Sequence, residues 1–215
     1  MNYIEHYSAT LKPERAFSKN DLIREVGESS VDLQEALATV FLIENSASNG
    51  GDSGFELASG PTCRAAEVVY DYAVSGIWPD PSRAGVFHTD ELFLDFSLRN
   101  EWTRSAVEHF GGTPPLAAEK ALAMAYLRAR LDHATLGRSP EAVILESDTD
   151  SFSLFEIAVL AQMAEKSVRN ATQQRANDRL KTTPVGTRAL VEAGEALRWL
   201  KGRRSFTSTV LPTSE

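Results

Sequence analysis

SLFEIAVLAQMAEKSVRN, residues 153–170, followed after a basic, turn-rich segment by ALVEAGEALRWLKGRR, residues 189–204, is the stretch on which the fold of this chain depends. Ser153 with Glu156 three positions later forms a capping box, the hydroxyl satisfying an orphan backbone N–H while the carboxylate reaches back to the cap, so a helix starts here. Leu154, Ile157, Ala158 and Ala161 recur at i, i+3, i+4 and i+7 and make one apolar stripe, whose alanines let a second helix approach closely. Gln162-Met163-Ala164 interrupts the run, with Met163 placed to plug the junction. Residues 165 to about 174 then continue as a second helix with a thin inward face, Val168 and Ala171. Leu180-Lys181-Thr182 and Thr187-Arg188-Ala189-Leu190-Val191 are β-prone runs on either side of Pro184-Val185-Gly186, whose Pro and Gly suit a turn, so a hairpin is predicted. A last helix repeats the apolar spacing at Ala193, Ala196, Leu197 and Leu200. Trp199 is available to cover a small core, and Lys201, Arg203 and Arg204 sit at the end where the helix dipole favours cations.

The second helix leaves Lys166, Ser167, Arg169, Asn170, Gln173 and Gln174 on or near its outward surface. By type these are ligands for DNA: Arg offers a bidentate fork to guanine, Asn and Gln pair with adenine, and Lys or Ser meets phosphate. Ser153, Leu154, Glu156, Ile157, Ala158, Leu160, Met163, Ser167, Val168 and Arg169, with Glu195, Ala196, Leu197, Trp199, Leu200 and Arg203 after the hairpin, make this last quarter of the chain resemble the excisionase-like and MerR-like winged helix-turn-helix families. The resemblance implies that residues 166–174 enter a major groove and that the hairpin from Lys181 to Arg188 touches backbone or minor groove. Arg169, Asn170, Lys166 and Gln173 are then the candidate base readers, with Gln174 beside them. Ser167, Lys181, Arg188 and Arg204 are the candidate phosphate contacts. Two positions depart from the family pattern. Gln162 stands where the turn commonly holds Gly, and Ala164 stands where the second helix commonly has a Ser or Thr cap, each at a cost on the order of 1 kcal/mol.

The chain has 215 residues and a formal net charge of −8, which by itself argues against a nucleic-acid partner. The sum hides a split: residues 1–150 hold 12 basic and 24 acidic side chains, whereas residues 151–215 hold 10 and 6. A basic contact module on an acidic body fits that division, the body repelling phosphate and leaving the module to orient the complex. The expected organisation is mainly α: an acidic helical body over residues 1–145, and a winged helix-turn-helix with a short β-hairpin over residues 146–215. A lone cysteine, Cys63, excludes an intramolecular disulfide framework and suits a reducing compartment. The N-terminus has no signal architecture and no apolar run approaches the length of a membrane span, so the expected location is the cytoplasm, with no membrane partner.

In the body, residues 1–17 read as a polar arm, 18–28 as a short helix, and 31–45 as a strong one with Leu33, Ala36, Leu37, Val40 and Phe41 on one face. Residues 46–61, rich in Ser, Gly and Asn, read as a mobile loop. A helix over 62–75 aligns Ala65, Val69, Tyr72 and Ala73, with Val68 beside them. Residues 78–87 form a connection. Residues 92–98 alternate like a strand, but Asp90-Glu91 and the spacing of Trp102, Ala106 and Phe110 favour a helix ending at Gly111-Gly112. Pro114-Pro115 opens the longest helix, to about Thr135, with Gly137 as its C-cap. Residues 138–152 connect to the C-terminal module, with Val143-Ile144-Leu145 able to pack on either part. The body's expected roles are dimerisation, effector sensing or binding of a protein partner, because one small helix-turn-helix reads too few base pairs and works as a symmetric pair.

Three enzyme readings are weaker. Gly50-Gly51-Asp52-Ser53-Gly54 has no histidine in a partner motif and the composition of an ordinary loop. His88, Asp90, Glu91 and Asp95 have ligand chemistry at near-helical spacing, but acidic residues belong at a helix start anyway. Cys63 beside Arg64 near a helix start has the setting of a lowered thiol pKa, but a lone cysteine is more often simply packed. The expectation is a sequence-specific DNA-binding regulator of bacterial type acting as a homodimer on double-stranded DNA, with no catalytic residues, metal or cofactor. The alternative is an adaptor or antitoxin-like protein whose helical body binds a protein partner.

Overall fold

The computed structural model describes residues 10–41, 60–140 and 150–212. Their arrangement is mainly helical, with one small antiparallel sheet near the C-terminus. The helices are α1 (Lys19–Phe41), α2 (Pro61–Ala73), α3 (Thr89–Phe110), α4 (Leu116–Leu136), α5 (Leu154–Ala161), α6 (Glu165–Ala171) and α7 (Ala193–Leu200). The strands are β1 (Ser151–Ser153), β2 (Thr183–Val185) and β3 (Arg188–Glu192), in the order β1-β3-β2.

Helix α4 is the axis of the molecule. Every residue from Ala118 to Asp132 is buried, as expected of a helix enclosed by neighbours on all sides. Its first turn has no side-chain cap of its own; instead the Glu25 carboxylate of α1 accepts the N–H groups of Ala117 and Ala118, each at 2.9 Å. Its far end closes on Gly137 at φ +67, as the sequence predicts. Helix α3 confirms the helical choice for residues 92–98 and ends at Gly111. The expected connection at 78–87 contains a short 3-10 turn, Pro81–Ala84, capped by Asp80.

One expectation for the body is corrected and the packed reading of Cys63 is met. The separate helices expected over 18–28 and 31–45 are joined as one continuous α1 up to Phe41, with residues 42–45 outside the described residues, because Ser29 and Ser30 bond back to the Val26 carbonyl (3.2 and 2.7 Å) rather than break the helix. Cys63 is buried and its thiol is pushed upward, first by burial, despite Arg64 beside it. Residues 1–9, most of the 46–61 loop with its Gly50–Gly54 run, Val143-Ile144-Leu145, and the expected boundary at 145/146 lie outside the described residues.

The sheet departs from a simple hairpin in two ways. Strand β1, unanticipated, pairs with β3 through Ser151–Glu192, Phe152–Val191 and Ser153–Leu190, adding a third strand directly before α5. The first hairpin strand is Thr183–Val185 instead of residues 180–182, and the loop between Val185 and Arg188 is Gly186-Thr187. Pro184 is tolerated because β2 is the sheet edge, where a missing N–H costs no ladder bond. Gly186, at φ +58, supplies the positive φ that two-residue hairpin loops favour. Leu180 is instead a core residue, fully buried, its N–H bonded to the Ala171 carbonyl.

One buried cluster runs without interruption from α2 and α4 through Phe152, Ile157, Val168, Val191 and Trp199. After α7 the chain turns back as a strap along the body. Val210 bridges Ile77 in parallel and donates its N–H to the Gly76 carbonyl at 2.9 Å. Gly76 is at φ +70, and a Cβ there would stand 2.6 Å from the Ser208 carbonyl oxygen, so the strap lies where only glycine fits.

Candidate nucleic-acid interface

The C-terminal module is held on α4 by a buried ion pair. Arg130 meets Glu156 at 2.5 Å and donates to the Ser151 carbonyl at 2.9 Å, with its guanidinium 4.7 Å above the Phe152 ring. Glu156 also completes the predicted capping box: its carboxylate accepts the Ser153 N–H at 2.6 Å while Ser153 Oγ accepts the Glu156 N–H at 3.2 Å. The residue that starts α5 is therefore the one that docks it.

Helix α5 ends in a Schellman arrangement, with Met163 N–H on the Ala158 carbonyl and Gln162 N–H on that of Val159. Gln162 occupies its left-handed position at φ 49, ψ 45, the sole non-glycine residue with positive φ among those described. Met163 packs partly buried against the core at the junction, in the place the sequence assigns it. Ala164 leaves α6 without a side-chain cap, as read from the sequence.

Helix α6 is shorter than expected. It stops at Ala171, where Thr172 Oγ1 bonds back to the Arg169 carbonyl at 2.8 Å and the Thr172 and Gln173 N–H groups tighten to i−3 carbonyls. Gln173 and Gln174 therefore sit in the turn after the helix, still exposed. Within α6 only Val168 is buried; Lys166, Ser167, Arg169 and Asn170 all face solvent. Glu165 holds Arg169 at 2.6 Å, steadying a guanidinium that remains 66% exposed.

No family model, characterised protein or solved structure matches this chain. The case for the interface therefore rests on its own geometry.

Lys181 and Arg188 are both exposed, Arg188 at the start of β3 and Lys181 just before the hairpin rather than in it. The Lys181 N–H donates to Glu195 at 2.8 Å, which fixes the chain where it leaves α6 for the sheet. Glu195 itself is drawn down to about 2, chiefly by the Arg198 guanidinium that it accepts from. Beyond α7, Lys201 and Arg204 are exposed. Arg203 is not: it lies 3.9 Å above the Trp199 ring and pairs with Asp178, which also holds Arg198 at 2.8 Å. Trp199 donates its Nε1–H to the Asp178 carbonyl, so one loop residue gathers three side chains of the last helix region.

Sequence spacing did not single out Arg175 and Arg179, which lie exposed in the turn between α6 and Leu180. The basic composition of residues 173–181 marks them, but no periodicity does. At the other candidate cluster, Glu91 accepts the Phe87 N–H and Asp90 accepts that of Glu91, so these carboxylates serve the start of α3.

Proposed function

We propose that residues 151–204 form a winged helix-turn-helix and that the protein is a sequence-specific DNA-binding regulator acting as a homodimer. The observation that carries this reading is the surface of α6: a seven-residue helix that buries only Val168 and exposes Lys166, Ser167, Arg169 and Asn170 after a tight turn from α5. An element with so little buried surface contributes little to the core, and its exposed side chains have the chemistry of base edges and phosphates. Arg169, Asn170 and Lys166, with Gln173 and Gln174 at the helix exit, are the base-reading set. Ser167, Lys181, Arg188 and Arg204, all exposed, are the phosphate-contact set, and the exposed Arg175 is added to it. Occupancy of the site would change transcription by excluding or recruiting other proteins.

The test is sequencing of fragmented source-genome DNA retained by the purified chain, with the Arg169→Ala/Asn170→Ala protein in parallel. A shared palindromic motif that disappears with the double variant is the expected result. At that motif Arg169→Ala alone costs about 1–3 kcal/mol and relaxes one base preference, whereas Lys181→Ala weakens all sequences and flattens the salt slope by about one unit. No enrichment by folded protein would overturn the reading in favour of an adaptor that binds a protein through its helical body.

A further inference from the structure

Among the described residues, five of the ten large apolar side chains that stand exposed belong to α3 and its approach: Phe87, Leu94, Leu98, Trp102 and Phe110. A 22-residue helix that buries Leu92, Phe93 and Phe96 on one side is ordinarily polar on the other. Here Leu94, Leu98 and Trp102 are 57%, 44% and 61% exposed and succeed one another at four-residue intervals. The outward face of α3 is apolar at its centre, at Leu94, Leu98 and Trp102, and carries polar residues toward both ends, Glu91 and Asp95 on one side and Ser105 and His109 on the other.

The stripe is symmetric about Leu98. We infer that the outward face of α3 pairs antiparallel with α3 of a second copy of this chain, on a two-fold axis that passes beside Leu98. Leu98 then meets its own counterpart, Leu94 of each copy meets Trp102 of the other, and Phe87 falls opposite His109 and Phe110. Such self-matching is what an isologous contact requires. Charge selects the antiparallel sense. Asp90, Glu91 and Asp95 all lie in the first half of α3, so a parallel pair would set each against its own copy. The antiparallel pair sets them beside the half that carries Glu101, Arg104, Glu108 and His109, where Arg104 is already paired with Glu108 and Glu119, so fewer like charges meet than in a parallel pair; Glu91 falls opposite Ser105, and Asp95 opposite Glu101 is the like-charged pairing that remains. A helix about 33 Å long in contact along its face with a copy buries on the order of 1,000 Å² in total, at the lower bound of specific interfaces.

Sedimentation equilibrium of the full chain without DNA, across a micromolar concentration series, tests this independently of any DNA activity. The mass is expected to rise toward twice that of one chain. Leu98→Glu, which sets two carboxylates against each other at the axis, is expected to leave a monomer with an unchanged circular dichroism spectrum. Leu94→Lys and Trp102→Glu each weaken association by at least about tenfold, and the two together restore it, because the axis brings the opposite charges face to face. A monomer at every concentration, a dimer indifferent to Leu98→Glu, or a double variant no better than either single one would overturn the assignment.

Discussion

Helices α4 and α6 carry the same kinds of basic side chain and use them in opposite ways. In α4, Lys120, Arg128 and Arg130 are 3%, 1% and 8% exposed, and each is engaged with protein oxygens. Lys120 donates to the Pro13 carbonyl at 2.7 Å and to that of Arg15, with burial lowering it to about 8. Arg128 donates to the Ala73 carbonyl at 3.1 Å, to the Thr207 carbonyl at 2.7 Å and to Thr209 Oγ1 at 3.1 Å. In α6, Lys166 and Arg169 are exposed, and the Arg169 guanidinium is paired with Glu165. Residue type thus does not decide whether a cation is a fastener or a ligand for something outside. What decides is whether buried carbonyls and carboxylates converge on it, and those come from segments remote in sequence, such as the strap.

That contrast is broken most severely at Arg128. The guanidinium lies 4.8 Å above the Phe206 ring and beside Asp132, which accepts from the Tyr72 hydroxyl at 2.9 Å and from Thr209 Oγ1 at 2.8 Å. Arg128→Ala leaves carbonyls and a carboxylate buried without their cation, and is expected to cost about 3–5 kcal/mol by urea unfolding at neutral pH. Arg169→Ala, as the control from α6, should change stability by less than about 0.5 kcal/mol. A loss below about 1 kcal/mol for Arg128→Ala would mean that the strap is not fastened by this residue.

Glu195 sharpens the comparison on the acid side. Its carboxyl is held at about 2 against an ordinary 4.5, so its contribution is complete above pH 4.5 and is lost as pH falls toward 2. Because Arg198 is about half exposed, solvent screens the pair, and the contribution is about 1 kcal/mol rather than the full linkage value. Glu195→Gln should therefore lower stability by about 1 kcal/mol at pH 7 and remove that part of the loss between pH 4.5 and 2. Unfolding curves at pH 7, 4 and 3 check this, and an unchanged acid slope would contradict it.

Local chemistry was legible in the sequence and remote pairing was not. The capping box, the left-handed Gln162, the uncapped Ala164 and the stripe on α7 could all be read from neighbours a few positions apart. Strand β1 could not, because three residues carry no detectable period and their partner lies some 40 positions on. Pro184 reads as a turn residue from sequence, because its place at a sheet edge depends on which strand lies beyond it. The gap between helices at 28 and 31 is absent because the bonds of Ser29 and Ser30 back to Val26 are available only once the helix exists. The strap from Ser205 to Pro212 has the composition of a loose tail, and its attachment depends on Gly76 and Arg128, far away in the chain. In the candidate interface, residue types and exposure were foreseen, whereas the end of α6 and the position of Lys181 relative to the hairpin were not.

The smallest expected effect concerns the turn that presents α6. Gln162 bears a left-handed conformation that costs a residue with a Cβ about 1 kcal/mol, while glycine would give back about 0.4–1 kcal/mol through its freer unfolded chain. Gln162→Gly should therefore stabilise by no more than about 0.5 kcal/mol. Its side chain adds little to the balance, since Nε2 reaches the Ser205 carbonyl only at 3.5 Å. The sign is more informative than the size, and differential scanning calorimetry of the two proteins reads it. The bonds that shape the turn, from Met163 to Ala158 and from Gln162 to Val159, are both made by backbone and survive the substitution. A clear destabilisation would show that the Gln162 side chain, rather than the Schellman bonds alone, ties the turn to the start of the strap. Helix α6 and the fastened tail would then share one support, and the contrast between α6 and α4 would be one of degree.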